Sequence, residues 1–471
     1  MLLTVDIGTS TFKSALWDYE GKNLRSAFAP LSVISSGVTH TADPALWLKA
    51  FESCCAQLLS SGIIKDFSGV EALVISGNGP SVVPVFGSPE NDARLFVPAD
   101  NARLWLDRRA VKYQAEVSEV MGGFVDAGFF LPKILSIKNE EYELYNKTKF
   151  FLGCPEFLAY SLTGEARSVF PCEGFDRWFW NNDVLDKLDL DSGKFPAFIQ
   201  PGGTFGVISS KARSLFGFAR NVPVLSGGPD FFAAILGSGA VRPNEACDRS
   251  GSSEGINLCT KERVFDNRLM SYAHPVKPYW NLSGIINTTG KAVEWGCSLL
   301  GFSDIDDFFE CAKKSRTGNG LVFLPYLAGE RAPIWDPSAK AQWRGINLSS
   351  SRSDFAASIL EGIGFAVKDV ISVMEEAGEK TGEMRVTGKL AGRDILNQIK
   401  ADITGIRVLA SPLRDAELCG LAIIGACSLG RYSSYSEAVS VMVKNEKSYE
   451  PDFKNTRIYK SLFDEYIAAR K

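Results

Sequence analysis

The sequence predicts an α/β protein of two domains, and three observations carry that expectation. Strand-like and helix-like stretches alternate along the first half of the chain, the pattern of a sheet covered by helices. The 471 residues exceed the size at which a single hydrophobic core keeps growing. A strand-to-turn motif, Asp6-Ile7-Gly8-Thr9-Ser10, has a faint echo in Asp248-Arg249-Ser250-Gly251-Ser252-Ser253, as if the two halves were related repeats. The expected division is 1–240 and 241–471, with Arg242-Pro243 at the boundary.

Residues 2–5 form a short apolar strand that runs into Asp6 and a turn of small hydroxyl residues. Residues 15–18 follow as a strand, with Gly21 as a hairpin signal. Residues 45–60 carry apolar side chains at helical spacing behind Pro44, which is tolerated at a helix start. Residues 70–76 read as a buried strand ending at Gly77, and 82–86 as another. Residues 140–164 read as helical, with a break at Gly153-Cys154-Pro155. The strand 223–225 runs through Ser226-Gly227-Gly228-Pro229-Asp230 into a helix over 231–236. Beyond residue 240 the pattern predicts a strand at 321–326, a long helix at 353–378, a strand at 384–387 and a helix at 395–404. Helices at 416–429 and 455–469 form a final pair.

The formal net charge is −4 and the Lys and Arg residues are spread along the chain. That argues against a nucleic-acid footprint and a basic membrane-binding face, and no apolar run approaches the length of a spanning helix. Ten cysteines without a Cys-x-x-Cys pair read as free thiols in a reducing compartment, so a cytoplasmic protein is expected. The presence of only His40 and His274 argues against a His-rich metal site or a Ser-His-Asp triad. Whatever chemistry occurs runs on carboxylates, hydroxyls and backbone donors.

Those groups suit phosphate. The turn after Asp6 offers backbone N–H groups and hydroxyls in a concave shape, and Gly8 lets the backbone approach closely. Asp6 at the strand end could hold a hydrated Mg2+; an ordinary hydrogen-bonded turn is the plain alternative. A Walker loop is absent, since Gly290-Lys291-Ala292 lacks the upstream glycine and the hydroxyl, and no Gly-x-Gly-x-x-Gly follows a strand. Asp230, after a strand and two glycines, reads either as a proton acceptor or as the cap of the following helix.

Segments 6–13, 227–239, 325–346 and 386–408 occur in an order that resembles the FGGY carbohydrate kinases, which include xylulokinases, gluconokinases and glycerol kinases. The run Leu324-Pro325-Tyr326-Leu327-Ala328-Gly329-Glu330-Arg331-Ala332-Pro333-Ile334-Trp335-Asp336 is its most specific part. The resemblance implies two actin-like or hexokinase-like (ribonuclease H-like) domains with an interdomain cleft. It implies ATP and Mg2+ as cofactors, a small sugar, polyol or sugar acid as substrate, and it allows a homodimer. Asp6 would organise Mg2+, while Gly8, Thr9, Ser10 and Lys13 would meet the phosphates. Gly251, Ser252 and Ser253 match the second phosphate loop, Gly290 the turn approaching the nucleotide, and Gly388 with Ala391 the adenosine-side loop. Asp230 stands where the family keeps its catalytic base.

Four departures from the family pattern stand out, two of them in segments that normally touch the sugar. Xylulokinases usually carry Gly-Gln-Met-His-Gly where this chain has Gly77-Asn78-Gly79-Pro80-Ser81. Their Trp-Asn-Asp-x-Arg is read here as Ala99-Asp100-Asn101-Ala102-Arg103. The adenosine loop is Gly388-Lys389-Leu390-Ala391 instead of Gly-Gly-Gly-Ala, and Phe231 follows Asp230 where smaller or polar residues are common. D-Xylulose is therefore not the expected substrate, and Asn78, Asp100 and Arg103 are the expected sugar contacts beside Asp230. The alternative function is a non-catalytic nucleotide- and sugar-binding regulator on the same fold.

Overall fold

The structure, a computed structural model, describes residues 1–89, 97, 99–411, 415–444 and 447–470. The chain forms two compact units, 1–233 with 417–442 and 234–416 with 443–471. The expected break at 240 thus misses one excursion, since the helices Ala416–Ser428 and Tyr435–Met442 return to the first unit. The first of these is apolar nearly all round, and such a helix has to be covered on every side. Leu421 packs so closely on Gly227 that a methyl group there would overlap it.

The first unit is built on a six-stranded sheet. Its spatial order is Thr204–Val207, Pro223–Pro229, Ala72–Gly77, Leu2–Ile7, Thr11–Trp17, Asn23–Pro30. Pro223–Pro229, Ala72–Gly77 and Leu2–Ile7 run parallel, and the other three are antiparallel to their neighbours. Every residue of Leu2–Ile7 and Ala72–Gly77 is buried, which is why both read as near-continuous apolar runs. The helix Ala45–Ser60 buries Trp47, Phe51, Cys54 and Leu58.

The second unit repeats the order. Its sheet runs Met270–Ala273, Trp280–Ile286, Glu254–Thr260, Glu245–Ser250, Glu383–Thr387, Arg407–Ala410, Lys447–Tyr449. An antiparallel meander again precedes three parallel strands, and an antiparallel strand closes the far edge. The echo in the sequence therefore reflects a duplicated topology, read one residue out of step. The strands end at Ile7 and at Ser250, so Gly8 matches Gly251 while Asp6 matches Arg249, not Asp248.

The long helix is Arg352–Glu376, started by a capping box between Ser351 and Asp354. The expected helix over 140–164 is broken further than its Gly-Cys-Pro signal indicated. Helices Phe130–Glu140 and Tyr142–Lys147 give way to a strand, Phe150–Leu152, before the helix Cys154–Thr163. Three consecutive apolar residues carry no period, and pairing with Val83–Val85 makes them a strand. Each unit has its own apolar core.

Candidate functional site

Three parallel strands of the first unit end side by side, with Ile7, Gly77 and Pro229 in register. Ligands of open α/β sheets gather outside such carboxyl ends. Asp6, Asn78 and Asp230 each adjoin one of these three residues. Between Ser226 and Pro229 the chain takes three steps where its neighbour takes two, from Ile75 to Gly77. That extra residue is a bulge, a device that bends a strand and re-aims the side chains beyond it. Gly228 sits in it at φ +70°, and its carbonyl accepts the Ser76 hydroxyl at 2.7 Å. A side chain there would be both strained and within 2.8 Å of Pro201. Asp230 emerges as the first residue of the helix Asp230–Ser238, where the helix dipole favours negative charge. Its Oδ1 accepts the Phe231 N–H at 2.7 Å.

Asp6 is 5% exposed and pairs across the hairpin with Lys13, whose Nζ stands 4.0 Å from Asp6 Oδ2. The turn between them closes through the Gly8 N–H and the Thr11 carbonyl at 3.0 Å. One buried thiol reports on both carboxylates. Burial pushes Cys154 well up, and the charges of Glu156, Asp6 and Asp230 push it the same way. Asp6, Lys13, the turn 8–10 and Asp230 thus share one edge of one sheet.

The three expected sugar contacts are placed differently. Asn78 is buried; its amide donates to the Ile7 carbonyl at 3.0 Å and its Oδ1 accepts the Ser81 hydroxyl at 2.8 Å. Arg103 is 2% exposed and holds the Ser136 hydroxyl, the Lys133 carbonyl and Glu141, so its guanidinium serves the scaffold. Asp100 is exposed and accepts the Asn101 N–H. Asn78 thus stays at the carboxyl edge that carries Asp230, whereas Arg103 is tied into the scaffold and Asp100 faces solvent.

A better match to the Trp-Asn-Asp-x-Arg pattern lies six residues further on. Trp105-Leu106-Asp107-Arg108-Arg109 keeps its Trp, Asp and Arg, whereas 99–103 keeps only the Arg. The Trp105 indole N–H donates to Thr9 Oγ1 at 3.1 Å, which brings this segment to the turn 8–10. Asp107 is wholly buried and takes a two-pronged bond from Arg109, at 2.8 and 3.0 Å. Burial opposes its charge, but Arg109 and the His40 and Arg109 N–H groups hold its carboxyl below the usual range. The Lys133 ammonium, driven well below the ordinary lysine range by burial, donates to the carbonyls of Pro80 (2.9 Å) and Leu104 (2.6 Å). It clamps the segments 78–81 and 102–105 together.

In the second unit, three loops converge. The turn 251–253 closes through the Gly251 N–H to the Ser253 carbonyl at 3.0 Å. The start of the helix Gly290–Leu299 docks on it: the Gly290 N–H donates to the Gly251 carbonyl, and the Thr289 and Lys291 N–H groups to that of Ser252. From the other side the Leu390 N–H reaches the Ser250 carbonyl at 3.2 Å. Gly388 has φ +89°, and a Cβ there would come within 2.6 Å of the Ser250 carbonyl oxygen. Gly388→Ala is expected to destabilise by at least about 1–2 kcal/mol, the cost of the left-handed backbone alone, and to weaken ATP binding. Thermal unfolding and calorimetric ATP titration check both. Glu330 accepts the N–H groups of Asn287 (2.7 Å) and Arg331 (2.8 Å) while burial lifts its carboxyl to about 7; it braces the 324–336 run.

No group of three or more His, Cys, Asp or Glu side chains that could hold a metal occurs among the described residues. No helix among them is long and apolar enough to cross a membrane.

A duplicated sheet with a glycine- and hydroxyl-bearing turn on each half makes this an α/β protein of two related units. The chain belongs to the FGGY family of carbohydrate kinases: the N-terminal domain model matches residues 1–237 and the C-terminal domain model residues 249–429. It is a carbohydrate kinase, transferring phosphate from ATP to a sugar-type hydroxyl. Among its relatives, the xylulose kinase of Staphylococcus epidermidis strain RP62A is 25% identical over 100% of this chain and 96% of its own length. The gluconokinase of Bacillus licheniformis is 22% identical over 99% of this chain and 94% of its own length. Crystal structures of a ligand-bound xylulose kinase and of a gluconate kinase, both from Lactobacillus acidophilus, superpose with TM-scores of 0.86. They are 21% and 22% identical, cover 100% of this chain, and are covered to 98% and 97%. At that identity they show the fold alone.

Proposed function

We propose that Asp230 is the general base of this kinase and that the sugar binds at the carboxyl edge that carries both Asp6 and Asp230. The observation that carries the reading is the bulge at Gly227-Gly228, which delivers Asp230 to the same carboxyl edge as Asp6, with one strand between them. The sugar hydroxyl oxygen attacks the γ-phosphorus in line. Its O–P bond forms as the bond from that phosphorus to the β,γ-bridging oxygen breaks, the hydroxyl proton passes to the Asp230 carboxylate, and ADP leaves. Such transfer asks the protein mainly for positioning and charge stabilisation. The turns 8–10 and 251–253 supply N–H and hydroxyl donors for the phosphates, Lys13 adds a cation, and the 388–391 loop takes the adenosine side.

Mg2+ fits this donor set. That ion prefers oxygen ligands, keeps several waters and takes only one or two carboxylates, so Asp6 with the neighbouring hydroxyls suffices and no cage is needed. When bound, it would neutralise charge on the phosphate oxygens. We take the enzyme to be cytoplasmic, in keeping with its ten free thiols. The family resemblance adds a homodimer, which light scattering checks.

The substrate reading rests on residues 78–81. With the Trp-x-Asp-x-Arg pattern found at 105–109, one of the two sugar-side departures disappears; the other stands, since Pro80 offers no imidazole and Lys133 ties down its carbonyl. In a panel of pentuloses, aldonates and polyols, D-xylulose is expected not to give the highest kcat/KM. A highest value for D-xylulose would refute this.

A further inference from the structure

The second unit buries an ion cluster that the transfer chemistry leaves unused. Lys400, Asp248 and Glu254 are each wholly shielded from solvent. The Lys400 ammonium donates to Asp248 Oδ2 at 2.6 Å, to Ser250 Oγ at 3.3 Å and to Glu254. Ser250 Oγ in turn donates to Glu254 Oε2 at 3.2 Å. Ser250 and Glu254 are the residues immediately before and after the turn 251–253, and they face each other across the hairpin. The same helix, Asp394–Thr404, carries Asn397 three residues earlier, also fully buried. Its amide donates to the Ala391 carbonyl at 2.7 Å. Residues three apart lie on one helix face, so one face pins two loops: Lys400 the flanks of 251–253, Asn397 the end of 388–391.

Buried ion clusters are weak evidence for stability, because apolar side chains of similar volume often serve as well or better. What its hydrogen bonds do fix is geometry, although Asp248 Oδ1 and Asn397 Oδ1 stay without a partner. We propose that Lys400 is a positioning residue for ATP. It holds the turn 251–253 and, with Asn397, that turn's spacing to the 388–391 loop, so that the donors of both are preset for the nucleotide. The proposal rests on the assignment of those two loops to ATP.

Wild type is compared with Lys400→Met and with the double variant Lys400→Met/Glu254→Gln. The readouts are Tm, the ATP dissociation constant by calorimetry without sugar, and KM for the sugar. Burial and the Glu254 charge push the Asp248 carboxyl well up, so the charge that Lys400→Met strands is that of Glu254 and its Tm falls; the double variant removes that charge and recovers much of the loss. ATP binding is expected to stay weakened in both, on the order of 10- to 100-fold, as when a small displacement far from the chemistry disturbs an aligned site. The sugar KM should barely move. Asn397→Leu breaks only the pin on Ala391 and carries the same expectation should the charge variants fail to fold. A double variant with wild-type ATP affinity, or an Asn397→Leu protein with it, would show that the network serves stability only and would overturn the proposal while leaving the kinase reading intact. Wild-type protein that binds no ATP would overturn the loop assignment and the proposal together.

Discussion

Asp230→Ala is expected to fold and bind ATP normally while losing roughly 10²–10⁴-fold in kcat, the usual worth of a positioned general base. The bulge at Gly227-Gly228, the Ser76 bond to the Gly228 carbonyl and the packing of Pro201 all fix the backbone just ahead of this side chain. Truncation at residue 230 therefore leaves the support in place and removes only the carboxylate. The competing role is a helix cap, since Asp230 begins the helix Asp230–Ser238. A cap predicts a stability loss of about 0.5–2 kcal/mol with nearly intact turnover in the folded fraction. Tm and kcat measured on the same sample separate the two roles. A destabilised but fully active Asp230→Ala protein would remove the base assignment.

Asp6→Asn is expected to cut kcat by about 10²–10³-fold, the scale seen when one preorganised electrostatic partner of a transition state is removed. Amide and carboxylate have nearly the same shape, so the change at this 5%-exposed position tests charge and not packing. The loss should come with a raised Mg2+ requirement, because one oxygen donor loses its charge. It should also weaken the hold on Lys13, whose ammonium stands 4.0 Å away. A magnesium titration of initial rates, alongside Tm, checks this. Unchanged turnover at every Mg2+ concentration would take Asp6 out of the site.

Much of the fold is legible because burial on both faces leaves its mark on composition. Leu2–Ile7 and Ala72–Gly77 have no polar face to alternate with, so they stand out as apolar runs closed by glycine-rich turns. Gly-Gly-Pro-Asp announces a tight strand-to-helix passage, and the structure adds that the passage is a bulge. The return of 417–442 to the first unit was illegible, since an apolar helix states that it is buried and not against what. The buried cations were illegible for the opposite reason. Lys133 and Lys400 lie on helices where a lone lysine reads as a solvated charge; only the tertiary structure shows carbonyls around one and carboxylates around the other. Trp105, Asp107 and Arg109 were legible but masked, because Arg103 and the acid at Asp100 offer a poorer copy of the Trp-x-Asp-x-Arg pattern six residues earlier.

The most direct measurement is coupled ADP release by wild-type protein and by Asp230→Ala across pentuloses, aldonates and polyols, each read against ATP alone. A sugar-dependent rate with one class, accompanied by equimolar sugar phosphate and lost in Asp230→Ala at unchanged ATP affinity, is the predicted result. Sugar-dependent ADP release that survives in the folded Asp230→Ala protein at the wild-type rate would contradict it.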